Sequence, residues 1–177
     1  MSKKILIPLD GSKSAEAILP PVCTLTSEPV SELVLLHVIE YPRELYPVCK
    51  DYLPIDPGHA EVIREEKQAI LRSRQVYLAG VAARLAMLGY KVSAEISEGP
   101  VVQTIIRSAQ RMKVDFIALS TRSSNGYRGG EISSVANRLL REAKTPIMVI
   151  IHSEQESFKI EPAILYRAVL AGQEVSP

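Results

Sequence analysis

Short apolar runs alternate along this chain with longer stretches in which apolar residues recur every three or four positions. Lys3–Leu9 (KKILIPL), Glu32–Glu40 (ELVLLHVIE), Val114–Leu119 (VDFIAL) and Ile147–Ile151 (IMVII) are nearly continuous. That is the pattern of strands buried on both faces of a parallel sheet. Lys91–Ile96 alternates and predicts a further strand, third in chain order. Helical spacing fills the intervals. Ser12 to about Thr26 places Ala15, Ile18, Leu19 and Val22 on one side, after an Asp10-Gly11-Ser12 turn whose serine suits an N-cap. Pro20 and Pro21 should kink or divide this helix. From His59 to Tyr90, Ile70, Tyr77, Val81, Leu85 and Leu88 form an apolar line; Arg64, Glu65, Lys67 and Arg74 mark the wet side, and Gly89 is the stop. Pro100 opens a helix striped by Val102, Ile105, Ile106, Ala109 and Met112. Glu131–Ala143 is the last amphipathic stretch, broken by Thr145-Pro146.

Strands alternating with helices call for an α/β domain: an open, mainly parallel sheet covered on both faces, with right-handed crossovers. Residues 1–151 make up this unit. Residues 152–177 read as an extension, in which Pro162–Ala171 (PAILYRAVLA) suits a short helix against the domain or a partner subunit. Tyr41–Gly58 holds Pro42, Pro47, Pro54 and Pro57 and predicts an extended surface loop. Loops of that length are often functional.

Composition narrows the classes. The 177 residues suit one domain, with 46% hydrophobic and 23% charged residues, ordinary for a globular chain. A formal charge of +1 makes no electrostatic case for nucleic acid or an anionic membrane. No apolar run approaches the roughly 20 residues that span a bilayer. The opening MSKKILIPL is too short for a signal peptide. Cys23 and Cys49 form neither a disulfide framework nor a metal motif, so a cytoplasmic setting is expected. His37 falls inside the second strand and suits a packed core residue; His59 and His152 stand apart from any ligand cluster, so no metal is expected. A G-x-S-x-G elbow and a Walker-type P-loop are both missing, and no catalytic residue is assigned.

The stretch from Val114 to Val149 carries the candidate chemistry. Strand, small-residue loop, helix and strand follow in turn, which presents backbone N–H groups and a helix N-terminus to an anion. In an open α/β sheet this loop lies at the carboxyl end of a strand, where ligands bind.

The segments KKILIPLDGSKSAEAILP, LVLLHVIE, SEGPVVQTIIRSAQRMKVDFIALSTRS and SSVANRLLREAKTPIMVI, in that order, resemble the universal stress proteins over about residues 3–151. The resemblance implies a five-stranded sheet in the order 3-2-1-4-5, a three-layer Rossmann-like sandwich. It also implies a homodimer joined through the fifth strands, here Ile147, Met148, Val149, Ile150 and Ile151. One group of the family binds ATP at the carboxyl ends of strands one and four; another has lost that ability. The binding group's signature is Gly, two residues, Gly, nine residues, Gly, then Ser or Thr. This chain keeps the spacing with Ser120, Thr121-Arg122, Ser123, nine residues to Ile132, then Ser133 and Ser134, but serine stands at all three glycine positions. A serine resists φ > 0 yet offers a hydroxyl to phosphate.

The candidate site that the resemblance implies is therefore Pro8, Leu9 and Val38 at an adenine slot, Asp10 toward a ribose, and Ser120, Thr121, Arg122, Ser123, Ser133, Ser134 and Val135 toward phosphates, with ATP and Mg²⁺, or another adenine nucleotide, as the ligand. Each has a plainer reading: strand-end core for the apolar three, turn-capping for Asp10, helix-capping for the serines, solvated surface for Arg122. The alternative function is a dimer without nucleotide that acts through an unidentified protein partner. Hydrolysis is at most slow, for want of a general base.

Overall fold

The computed structural model describes residues 3–26, 31–41, 57–122 and 133–152, with the backbone alone at 57–59, 122 and 152. Ser123 and its loop, most of the proline-rich segment and the extension beyond His152 lie outside the described residues. The elements are β1 (Lys4–Pro8), α1 (Lys13–Glu16), α2 (Leu19–Leu25), β2 (Glu32–Ile39), α3 (Pro57–Met87), β3 (Lys91–Glu98), α4 (Val101–Met112), β4 (Phe116–Arg122), α5 (Ser134–Glu142) and β5 (Ile147–His152). The five strands are all parallel, in the order β3-β2-β1-β4-β5.

Period-two alternation along the central strands builds two cores. Ile5, Ile7, Leu9, Leu33 and Leu35 face Ile18, Leu19 and Val22 of the α1–α2 segment and Leu78, Val81 and Leu85 of α3. Leu6, Val34, Leu36, Ile117 and Leu119 face Val102, Ile105 and Ala109 of α4, and Ala136 and Leu139 of α5. Strands buried on both sides explain the near-continuous apolar runs. Pro20 and Pro21 do divide their helix: α1 ends at Glu16, and the prolines open the first turn of α2, where a missing N–H leaves no bond unmade.

Several boundaries differ from the sequence expectation. Pro57 and Gly58 belong to α3, not to the preceding loop, and β3 runs two residues further, to Glu98. Pro100 is the N-cap of α4, just outside its first turn. β4 does not end at Leu119 but continues through Ser120, Thr121 and Arg122, because β5 pairs with it as far as Arg122–His152. Polar residues hold a strand here because the neighbouring ladder takes up their backbone groups.

The two halves of the sheet wind outward from β1, so the strand order reverses between β1 and β4. Only Ile5–Phe116 and Leu6–Ile117 pair across that junction. Beyond Ile117 the two strands part, and a crevice opens at their carboxyl ends, the usual ligand position in such sheets. α3 packs against β3 and β2. At about 1.5 Å per residue its 31 residues span roughly 46 Å, against about 26 Å for the eight-residue β3, so its N-terminal part overhangs the strand ends. Tyr41, just past β2, is buried and carries Lys67 of that overhang 4.7 Å above its ring.

Candidate functional site

The β1 edge of the crevice is a tight turn. Asp10 is exposed, and its Oδ1 accepts from the Ser12 N–H at 2.8 Å. Gly11 has φ +91, a conformation that suits only glycine. Ser12 caps α1, accepting the Ala15 N–H at 3.0 Å. The turn-capping role of Asp10 is thus present, and its carboxylate still faces solvent.

Of the three adenine-slot candidates, Pro8 and Val38 are half-buried, with Val38 packed on the α4–α5 side. Leu9 points the other way. Its side chain lies in the core beneath α1–α3, its N–H donates to Leu36 O at 2.8 Å, and its carbonyl accepts from His37 Nδ1 at 2.7 Å. A residue one position along a strand faces the opposite layer, so Pro8 and Leu9 do not offer side chains to one slot.

The β4 edge is tied down from below and from the side. Ser120 donates its hydroxyl to the backbone carbonyls of Ser14 and Ala15, joining β4 to α1 across the crevice floor. Thr121 is buried, and its Oγ1 accepts the Ser133 N–H at 3.0 Å. Ser133 in turn caps α5 by accepting from Ala136 N at 3.3 Å. The N–H groups of Ser134 and Val135, in the first turn of α5, have no intrahelical partner. Arg122 ends β4 opposite His152, and its side chain lies outside the described residues.

Ser133 has φ −51, and Lys113 is the one described non-glycine residue with positive φ. Neither Ser120 nor Ser133 therefore occupies a backbone that demands glycine, and the Cβ costs nothing conformationally at either position. Their hydroxyls serve α1 and α5, so among the described serines and the α5 first turn the candidate anion donors are the Ser134 hydroxyl and the N–H groups of Ser134 and Val135.

Sequence reasoning missed the layer beneath the turn. His37 is 4% exposed, as expected of a packed core histidine, and its Nδ1–H donates to the Leu9 carbonyl while Tyr77 meets its ring edge-on at 6.4 Å. Burial first, and then the field of Arg74, push its pKa below the ordinary value, against the opposing pull of the Leu9 bond and Asp10. Burial and the nearby Glu16 carboxylate push the Tyr77 phenol far up. Arg74 and Lys67, assigned by spacing to the wet side, are both half-buried. Helical periodicity marks which residues share a face, but not which long side chains fold back over a strand end.

The folded state holds His37 neutral below the unfolded value near 6.5, so the unfolded chain binds more protons there. The contribution of His37 to stability is complete above about pH 6.5 and falls as pH drops toward the folded pKa. NMR titration should place the His37 imidazole below 6.5, and the stability gap between wild type and His37→Gln should shrink from pH 7.5 to pH 5. A gap that widens on acidification would refute the assignment. Glu95, held down chiefly by its Arg111 hydrogen bond, loses its contribution only at lower pH, below the ordinary carboxylate value.

Comparison with known proteins agrees with this geometry. The sequence model described as the Universal stress protein family matches residues 1–150. The chain belongs to that family. It is 24% identical over 154 residues to Universal stress protein MJ0577 of Methanocaldococcus jannaschii, covering 85% of this chain and 95% of that one. The solved structure of MJ0577 superposes with a TM-score of 0.70 over 88% of this chain and 99% of that one. An Arabidopsis thaliana family member solved with AMP bound matches at TM-score 0.55 and 17% identity, over 91% and 98% of the two chains. A universal stress protein in complex with cAMP matches at 0.51 and 14%, over 85% and 97%. Among the described residues no helix is long and apolar enough to cross a membrane, and no His, Cys, Asp or Glu cluster would hold a metal.

Proposed function

We propose that this universal stress protein is a dimeric regulatory module that binds an adenine nucleotide, ATP with Mg²⁺, in the crevice between β1 and β4. One observation carries the reading: β1 and β4 part beyond Ile117, leaving the Asp10 carboxylate on one edge and the first-turn N–H groups of Ser134 and Val135, unbonded among the described residues, on the other. Pro8 and Val38 supply apolar surface for the base, Asp10 an acceptor for a ribose hydroxyl, and Ser134 with Val135 donors for phosphate. Relatives of the same fold were solved with AMP and with cAMP, which supports an adenine nucleotide as the class of ligand. Mg²⁺ would be held by the phosphates, with Asp10 the nearest candidate carboxylate. Binding, with hydrolysis at most slow, is the activity proposed.

Isothermal titration with ATP and Mg²⁺ tests this. Asp10→Ala and Ser134→Ala should each weaken binding about tenfold, the scale of one lost hydrogen bond to a charged group. Undiminished affinity in both variants would move the ligand elsewhere. A second reading, a dimer that works through protein contacts without nucleotide, draws on Ser120 and Ser133, whose hydroxyls serve α1 and α5. Wild-type protein silent at millimolar ATP would favour it.

A further inference from the structure

We propose that Arg74 of α3 is an anion-recognition residue of the crevice and takes an oxygen of the nucleotide's phosphate chain; this rests on the nucleotide reading above. Its guanidinium lies against the β1 turn. A Cβ built on Gly11 would stand 3.3 Å from Arg74 Nη1. The glycine, required there by φ +91, leaves no side chain between the guanidinium and the mouth of the crevice.

Among the described arginines, the pairing of the others sets this one apart. Arg84 meets Glu16 at 2.6 Å and Arg138 meets Glu142 at 3.1 Å; Arg111 pairs with Glu95, Arg72 donates to Gln68, and Arg107 donates to Thr104. Arg64 and Arg141 are exposed to water. Arg74 is half-buried, yet makes no ion pair or side-chain hydrogen bond among the described residues. Asp10, the residue before Gly11, directs its carboxylate to the Ser12 N–H and forms no ion pair with Arg74 among the described residues. His37 below is held neutral, in part by the arginine's own field, and is no counter-charge. A partly desolvated cation without a partner is costly, and an arriving anion offsets that cost. The planar fork of guanidinium donors suits phosphate oxygens. α3 thus contributes to the site from outside the loop that carries the sequence signature.

The test compares ATP with adenosine, by titration calorimetry, on wild type, Arg74→Gln and Arg74→Lys, with thermal unfolding of each free protein. Arg74→Gln is expected to bind ATP about tenfold or more weakly and adenosine unchanged, with Arg74→Lys between them. The affinity of wild type for ATP should also fall more steeply with salt than that of Arg74→Gln. Equal ATP affinity in Arg74→Gln overturns the inference and leaves the nucleotide reading standing. Equal losses for ATP and adenosine overturn it as well, because Arg74 would then only hold the turn. Wild type that binds neither compound overturns the nucleotide reading, and this inference with it. Should Arg74→Gln prove unstable, Arg74→Lys decides by the same comparison.

Discussion

Replacing Ile117 by alanine is expected to cost about 3–4 kcal/mol, a large part of the ~5–15 kcal/mol that holds a domain folded. Ile117 is fully buried in β4, opposite Leu6 of β1 and Ile147 of β5, with its N–H bonded to Pro146 O at 2.9 Å. Its side chain fills the layer between the sheet and the α4–α5 pair. Neighbours on three sides belong to strands and helices that cannot close in, so the cavity term adds to the lost transfer energy. At roughly 2–4 °C per kcal/mol for a chain of this size, the melting temperature should fall by about 10 °C. Leu25→Ala, at a side chain 67% exposed, is the control and should change stability by about 0.5 kcal/mol or less. Urea unfolding of the two variants decides the matter. A cost below about 1 kcal/mol for Ile117→Ala would mean that this layer is not packed around it. Because Ile117 is the last residue of β4 paired with β1, its variant should also loosen the floor of the crevice.

Ile151→Asp is expected to convert the proposed dimer to monomers. β5 is an edge strand, and each residue from Ile147 to Ile150 is only partly buried although β4, next to it, buries Ile117, Ala118 and Leu119. Ile151 is 51% exposed, and Leu140 on α5 is 48% exposed. An apolar edge of this kind, with few charges to blunt it, pairs readily with another strand. A second copy of the same edge is the occupant we propose. A carboxylate on each copy at position 151 would meet its symmetry mate's apolar edge or its like charge, and either is unfavourable. Light scattering should give wild type about twice the 19.5 kDa chain mass, and the variant the chain mass itself, with an unchanged circular dichroism spectrum. Wild type running as a monomer at micromolar concentration would end the dimer proposal.

Local chemistry made most of the fold legible in the chain. The continuous apolar runs named the strands, Pro20-Pro21 the division of the first helix, and Ser12 and Gly89 a cap and a stop. Each depends on residues within one turn or one strand. The candidate site was legible in part, because motif spacing marks positions along a chain but not directions in space. Leu9 turned out to face the layer opposite Pro8, and Ser120 to serve α1, more than a hundred residues earlier.

What the sequence determined by itself is therefore the alternation of strands and helices, the residues that bury on them, and the small-residue corner after the fourth strand. Tertiary structure alone decided where β1 and β4 part, that Ser133 spends its N–H on Thr121, and that Arg74 bends over Gly11. The physical reason is range. Burial patterns and caps are set by neighbours a few residues away, whereas hydrogen-bond partners and the reach of a long side chain depend on which distant segments the sheet brings together.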